Sequence, residues 1–429
     1  MSASAAAPRF GAWGFREFRL LWVAQLTADF ASNLQLFAIN WHVFELLYGS
    51  TLELSLLGMR FELNGAAAGL GGMGVVRLLP IVLFGVTGGI LADALDRRRL
   101  MMWTRLCVFV VAVALLAVTV SGAASVLLLY LISAAGAALA GFDTPARQSM
   151  VPATVPPSHL SHAISLFSLA FRLSAIAAPL AGAMLIETWS IAAAYGAIAL
   201  SFAVPALCLA AMRLTRPDDA PRGAPTLAAF TEGARFVRRT PMLWSTYLLD
   251  FFASCFATVG VLLPILAEVV FDSGVGGYGL LAAGQPLGAV ATSLVLAWWH
   301  RLRRQGPMLV VCVALYGAAL AIVGLSHSIW LSFAMLAVFG AADTVSTVIR
   351  ATLRQVLTPD HLRGRVASIA LIFFRGGPRI GEIQAGMTAA LIGAPLAIVI
   401  GGLATVACTA LVVSRFPQIW RYDTLLDGR

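Results

Sequence analysis

The chain has no lysine; all 29 of its basic residues are arginine. Charge of either sign is scarce. Only 11% of the 429 residues are charged, 60% are hydrophobic, and the mean hydropathy is +0.88. A soluble chain of this length cannot wet its surface with so little charge, so the composition describes an integral membrane protein. Cysteine is also sparse. Cys107, Cys208, Cys255, Cys312 and Cys408 each lie inside an apolar run, at spacings no metal site uses, and read as small buried residues. Nothing resembles a Walker loop, a nucleophile elbow or a metal cluster. ATP hydrolysis, covalent catalysis and a bound cofactor are therefore not expected, nor is an enzyme. Residues 1–19 lack the apolar core of a signal peptide, so the first apolar run is expected to stay as a helix. The net charge of +9 could suit nucleic acid, but the arginines sit in short loops between apolar runs, which argues against it.

What is present is a series of about twelve runs, each near the ~20 residues that cross a bilayer. They cover about 20–47, 75–94, 100–121, 126–148, 162–186 and 190–214, then 242–271, 278–299, 308–325, 330–353, 366–392 and 394–413. The expected organisation is a tail (1–19), a six-helix half (20–214), a linker (215–241), a second six-helix half (242–413) and a second tail (414–429). The linker opens rich in Pro, Asp and Gly and closes on a basic amphipathic helix over 227–239.

Arginine placement predicts orientation. Arg97–Arg99, then Arg213 to Arg239, then Arg301, Arg303 and Arg304, then Arg363 and Arg365 fall in alternate loops, and both tails are basic. The opposite loops hold Glu53, Arg60, Glu62, Glu187, Glu268 and Asp272. Both termini are thus expected in the cytoplasm.

The halves repeat each other. Leu21-Trp22, Asp29 and Ala31-Ser32 in the first helix correspond to Leu243-Trp244, Asp250 and Ala253-Ser254 in the seventh. Asp143 corresponds to Asp343, and Phe171-Arg172 to Phe374-Arg375. The repeat exposes a surplus between helices one and two, near Arg60–Met73. Its polar, Gly-rich sequence predicts an enlarged external connection there, with a distorted start to helix two as the alternative.

Charges inside a bilayer are costly, so each is a functional candidate. Asp29 lies roughly 15 Å into the first helix at 1.5 Å per residue, followed by Asn33, Gln35 and Asn40. Desolvation favours the neutral form of an acid, so Asp29, Asp250, Asp343 and Glu382 are candidate proton-coupling residues. Each could equally be half of a structural ion pair. Arg375, Arg379 and Glu382 share one helix face at i, i+4 and i+7. With Arg172, these arginines could receive an anionic substrate in a guanidinium fork. Asn33 and Gln35 complete the candidate substrate-binding set. Asp143 and Arg147, at i,i+4, have the spacing of a local ion pair.

The stretch Gly88 to Arg99, GGILADALDRRR, joins two spans through a short basic turn. It resembles the loop between helices two and three of the major facilitator superfamily, with Gly89, Leu91, Asp93, Arg97 and Arg98 matching; Ala94 and Asp96 depart from the pattern. FREFRLLWVAQL, PATVPPSHLSHAIS and TPDHLRGRVAS are similar to the branch of that superfamily containing enterobactin-exporter-like and macrolide-efflux proteins. The resemblance implies an all-α membrane fold of twelve helices in two pseudo-symmetric halves. It also implies a monomeric, multi-pass protein of a bacterial inner membrane, in contact with lipid, a small-molecule substrate and protons. The implied activity is proton-coupled export of a siderophore or amphiphilic compound, with Gly89, Asp93, Arg97 and Arg98 as a gating loop. An importer or lipid-moving transporter of the same fold, or a transport-inactive sensor or assembly subunit, are the alternatives.

Overall fold

A computed structural model describes residues 11–56, 59–94, 97–212, 227–298 and 304–423. After a 3-10 turn come α1 (Arg16–Leu47), the strands β1 (Thr51–Leu56) and β2 (Met59–Asn64), α2 (Gly65–Ala94), α3 (Arg97–Val120), α4 (Val126–Thr154), α5 (Leu160–Thr188) and α6 (Ile191–Ala211). Then follow α7 (Leu227–Arg239), α8 (Pro241–Phe256), the single turn α9 (Leu263–Ile265), α10 (Gly274–Trp298), α11 (Gln305–Leu325), α12 (Ile329–Leu357), α13 (Arg363–Ile392), α14 (Ala394–Arg415) and the short α15 (Gln418–Arg421). Among the described residues, nine helical stretches are long and apolar enough to cross a membrane. Neither α1 nor α13 is among them. These two helices carry Gln25, Asp29, Asn33, Gln35 and Asn40, and Arg375, Arg379 and Glu382. Exposed tryptophans stand at helix ends, Trp103, Trp189, Trp298 and Trp330, where an indole meets the membrane–water boundary.

The arginine-poor turns are tight, and side chains explain them. Ser125, Ser190 and Ser328 accept from the backbone N–H three residues on, at 3.4, 3.2 and 3.4 Å, capping α4, α6 and α12. Between α13 and α14 the chain reverses at Gly393, whose φ of +87° favours a residue without a side chain.

Two elements depart from the sequence reading. The connection after α1 is the β1–β2 hairpin, antiparallel with Glu53 opposite Glu62. The residues from Gly65 to Met73, read first as loop and only in the alternative as the start of helix two, are the first turns of α2. Asn64 starts that helix by accepting from Ala67 N–H at 3.0 Å. The glycines serve packing. A Cβ on Gly71 would stand 2.9 Å from Gly386 Cα, and one on Gly74 would stand 2.8 Å from the Arg379 carbonyl. α2 and α13 therefore touch through their backbones, which small residues alone permit. Gly386→Leu should lower the thermal midpoint by an amount worth about 1–3 kcal/mol, the cost of overpacking. Gly376→Leu on the same helix, with open space around its α-carbon, should not. Equal midpoints for the two variants would show that α2 yields freely.

The seventh span is broken. α8 ends at Phe256, a 3-10 turn follows at Gly260–Leu262, then α9 and a π turn at Leu266–Val270. Pro264 lacks the N–H a continuous helix requires. The amphipathic helix α7 lies where the sequence puts it. It buries Val237 with Leu243, Tyr247, Leu362 and Val366 and leaves Arg235, Arg238 and Arg239 exposed.

The chain divides into two compact units. One comprises Met1–Ile39 and Leu79–Ala224, the other Asn40–Leu78 and Pro225–Arg429. In the first, α3 packs on α4 and α6, and α5 packs on α4 and α6. Leu21, Met101, Met150, Leu209 and Met212 form a buried cluster there. Trp22 Nε1 donates to the Leu166 carbonyl at 3.0 Å, fixing α1 to α5. In the second, α10 packs on α12, α11 on α12 and α14, and α13 on α8. That unit also holds the end of α1 and the start of α2.

Candidate functional site

In the first unit, Asp29 is partly exposed on α1 and accepts a hydrogen bond from Gln25 Nε2 at 2.5 Å. Asn33 Nδ2 donates to the Asp29 carbonyl at 2.8 Å. Three polar residues one turn apart thus share a face and bond along it. Gln35 is partly buried two positions on. Asp143 of α4 pairs with Arg105 of α3 at 2.8 Å. The local spacing pointed to Arg147, whose side chain lies outside the described residues. Arg105 is buried, and its closeness to Arg97–Arg99 disguised it as one more loop arginine. Arg172 is partly exposed on α5 and makes no ion pair among the described residues.

The second unit contains two charged clusters. The first centres on Arg350 of α12, buried to 8% exposure. Its Nη1 stands 2.9 Å from Asp250 Oδ1 of α8, and its Nη2 stands 3.7 Å from Asp343 Oδ1. Nη2 also donates to Thr347 Oγ1 at 3.1 Å. Two candidate acids from different helices of the second half thus converge on one guanidinium. Arg350 follows Asp343 by two helical turns, so the shared face was readable; its pairing with Asp250 was not. The second cluster joins α1, α2, α10 and α13. Glu382, buried, accepts from Arg379 one turn earlier. Arg77 of α2, also buried, stands with Nη1 3.7 Å from Glu382 Oε2 and donates from Nη2 to Asn40 Oδ1 of α1 at 3.0 Å. Tyr278 of α10 is hydrogen-bonded to Asn40 and stacks on Trp41, ring centroids 5.9 Å apart. Arg77 lies within the run read as 75–94 but was not singled out, because it stands only two residues inside the start of that run.

Arg375 is helical, but its side chain lies outside those described; so do the side chains of Asp93, Arg97 and Arg98, and Gly89 is known only as helical backbone in α2. Asp96 lies outside the described residues altogether. None of the clusters holds a nucleophile beside a base, and among the described residues no group of three or more His, Cys, Asp or Glu could hold a metal ion. What the arrangement offers is buried charge, paired across helices that span a membrane. Such charge marks paths for ions or polar solutes.

The fold and these clusters define a polytopic transporter. The chain belongs to the major facilitator family described as transmembrane secretion effectors, which it matches over residues 9–424. It is a secondary transporter, not an enzyme. Similar curated proteins include Enterobactin exporter EntS of Citrobacter koseri, 26% identical over 79% of this chain and 80% of that one. Enterobactin exporter EntS of Shigella boydii serotype 4 is 26% identical over 76% and 79%. Among solved structures, a bacterial homolog to the human lysosomal transporter Spinster superposes with a TM-score of 0.71 at 15% identity, over 94% of this chain and 98% of the other. The nucleoside transporter NupG gives a TM-score of 0.70 at 11% identity, over 93% and 99%. At these identities the two structures establish the fold, which is the twelve-helix all-α architecture of the superfamily.

Proposed function

We propose that this protein exports a siderophore or similar amphiphilic molecule across a bacterial inner membrane in exchange for protons. The observation that carries the coupling is the convergence of Asp250 and Asp343 on Arg350 inside membrane-spanning helices. A carboxylate that changes partner or protonation as helices move can tie proton passage to conformation. Asp29, Asp250, Asp343 and Glu382 are the proton-coupling candidates. Asn33, Gln35, Arg172, Arg375 and Arg379 are the substrate-binding candidates. The named relatives supply the substrate class, since they are enterobactin exporters. The working cycle is rocking of two six-helix halves, 20–214 and 242–413, about a midplane site. Gly89, Asp93, Arg97 and Arg98 gate it at the cytoplasmic side, where both termini also lie. The protein acts as a monomer in the lipid bilayer.

One vesicle experiment tests this reading. Inside-out vesicles with an acid interior should accumulate a catecholate siderophore, and a protonophore should abolish the accumulation. A C-terminal tag on the same vesicles should be open to protease, and Asp93→Asn should slow uptake without unfolding the protein. Accumulation by right-side-out vesicles instead would make the protein an importer. A protected tag would reverse the orientation.

A further inference from the structure

The cluster around Glu382 contains two cations and one acid, and its geometry is uneven. Arg379 donates to Glu382 Oε1, so that pair is satisfied. Arg77 Nη1 and Glu382 Oε2 face each other across 3.7 Å, both buried and neither hydrogen-bonded among the described residues. Buried polar atoms in native proteins are nearly always bonded, so an orphaned donor beside an orphaned acceptor calls for an explanation. The charge count points the same way: one carboxylate against two guanidinium groups leaves a net positive charge out of water, which favours a second anion. The Arg379 side chain is 27% exposed, whereas that of Arg77 is 8% exposed. Arg77 is held rigidly for such a role. Asn40 fixes its Nη2, and the backbone contacts of Gly71 and Gly74 with α13 fix the helix beneath it. Trp41 and Tyr278, stacked next to Asn40, place aromatic surface beside the charge.

We propose that Arg77 and Arg379 form an anion subsite that Glu382 occupies when no substrate is bound. The carboxylate or phenolate of an aromatic substrate displaces it. The proposal rests on the exporter reading and deepens it: the transported molecule carries an anionic group, and Glu382 is its internal competitor. Arg77 is the residue that distinguishes this from a plain Arg379–Glu382 pair, because the incoming anion satisfies the donor that Glu382 leaves unbonded. Glu382 also stays close to the anion it yields to, so selectivity falls on ligands able to grip both guanidinium groups at once.

Calorimetric titration of the purified full-length protein tests the competition, with salicylate as the anionic probe and salicylamide as its neutral counterpart. Removing the competitor in Glu382→Gln should tighten salicylate binding by about tenfold or more, a change well resolved on the affinity scale. Arg77→Gln should lose salicylate binding and Arg77→Lys should keep much of it, while salicylamide binding stays level in every variant. A gain of affinity in Glu382→Gln cannot come from misfolding. Unchanged or weakened salicylate binding in that variant, no binding in either protein, or unchanged binding in Arg77→Gln would each overturn the subsite. The vesicle experiment reports separately: a protein that shows this competition yet moves no siderophore overturns the exporter reading and leaves the anion site standing.

Discussion

Arg350→Gln should both destabilise the second unit and stop transport. The guanidinium is buried, and Asp250, its 2.9 Å partner, has a side chain only 17% exposed. Removing one member of a buried ion pair leaves the other charge uncompensated, which costs about 3–5 kcal/mol. Truncating the acid as well removes that charge, so Arg350→Gln with Asp250→Asn should recover a good part of the lost stability. A double-mutant cycle isolates the pair because the two residues are in direct contact. Asp343, 3.7 Å away with a side chain 42% exposed, adds little to stability, since charges near solvent are screened. With the exposed Cys107 replaced by Ser, Cys255, buried on α8 five residues past Asp250, is a built-in reporter: a thiol-reactive dye should label it at a lower temperature in the single variant. Two outcomes separate the roles left open for these acids. Loss of transport with an unchanged labelling midpoint would assign Arg350 to the transport cycle rather than to the fold. Loss of stability with transport kept in the surviving protein would make the cluster structural.

Asp29→Asn should abolish uphill efflux to the level of protein-free vesicles while sparing substrate binding and downhill exchange. The residue stands thirteen positions after the start of α1, roughly 20 Å along its axis at 1.5 Å per residue. Asparagine keeps the shape of the side chain and the oxygen that accepts from Gln25. What it removes is the ability to carry a proton. A pH gradient can do work only through a group that binds a proton at one face and releases it at the other; a permanently neutral amide cannot. Gradient-driven transport in proteoliposomes, beside an equilibrium binding assay, reads the two properties separately. Full uphill transport by the variant would move the coupling proton to Asp250, Asp343 or Glu382. Loss of binding as well would make Asp29 a substrate ligand or a structural partner.

Which of these features could be read without a structure depends on the distance over which each is encoded. The spans were legible because bilayer thickness imposes a length and an apolar composition on every helix that crosses it. The amphipathic α7 was legible because its apolar residues recur at helical spacing. The start of α2 was legible only as an alternative. Gly65–Met73 reads as a loop by local propensity, and its helicity is secured by close contact with α13, far away in the sequence. Asp29, Asp250, Asp343 and Glu382 were identified as candidates because a charge in an apolar run is conspicuous by itself. Their partners were not conspicuous. Arg77, Arg105 and Arg350 looked like ordinary arginines until packing put them beside an acid. The sequence by itself determined that this protein lies in a membrane and which helices carry buried charge, because transfer of each segment from water to lipid is a sum over its own residues. Only the tertiary structure decided which charges neutralise which. Ion pairing acts over a few ångströms between helices distant in the chain, and no local pattern specifies it.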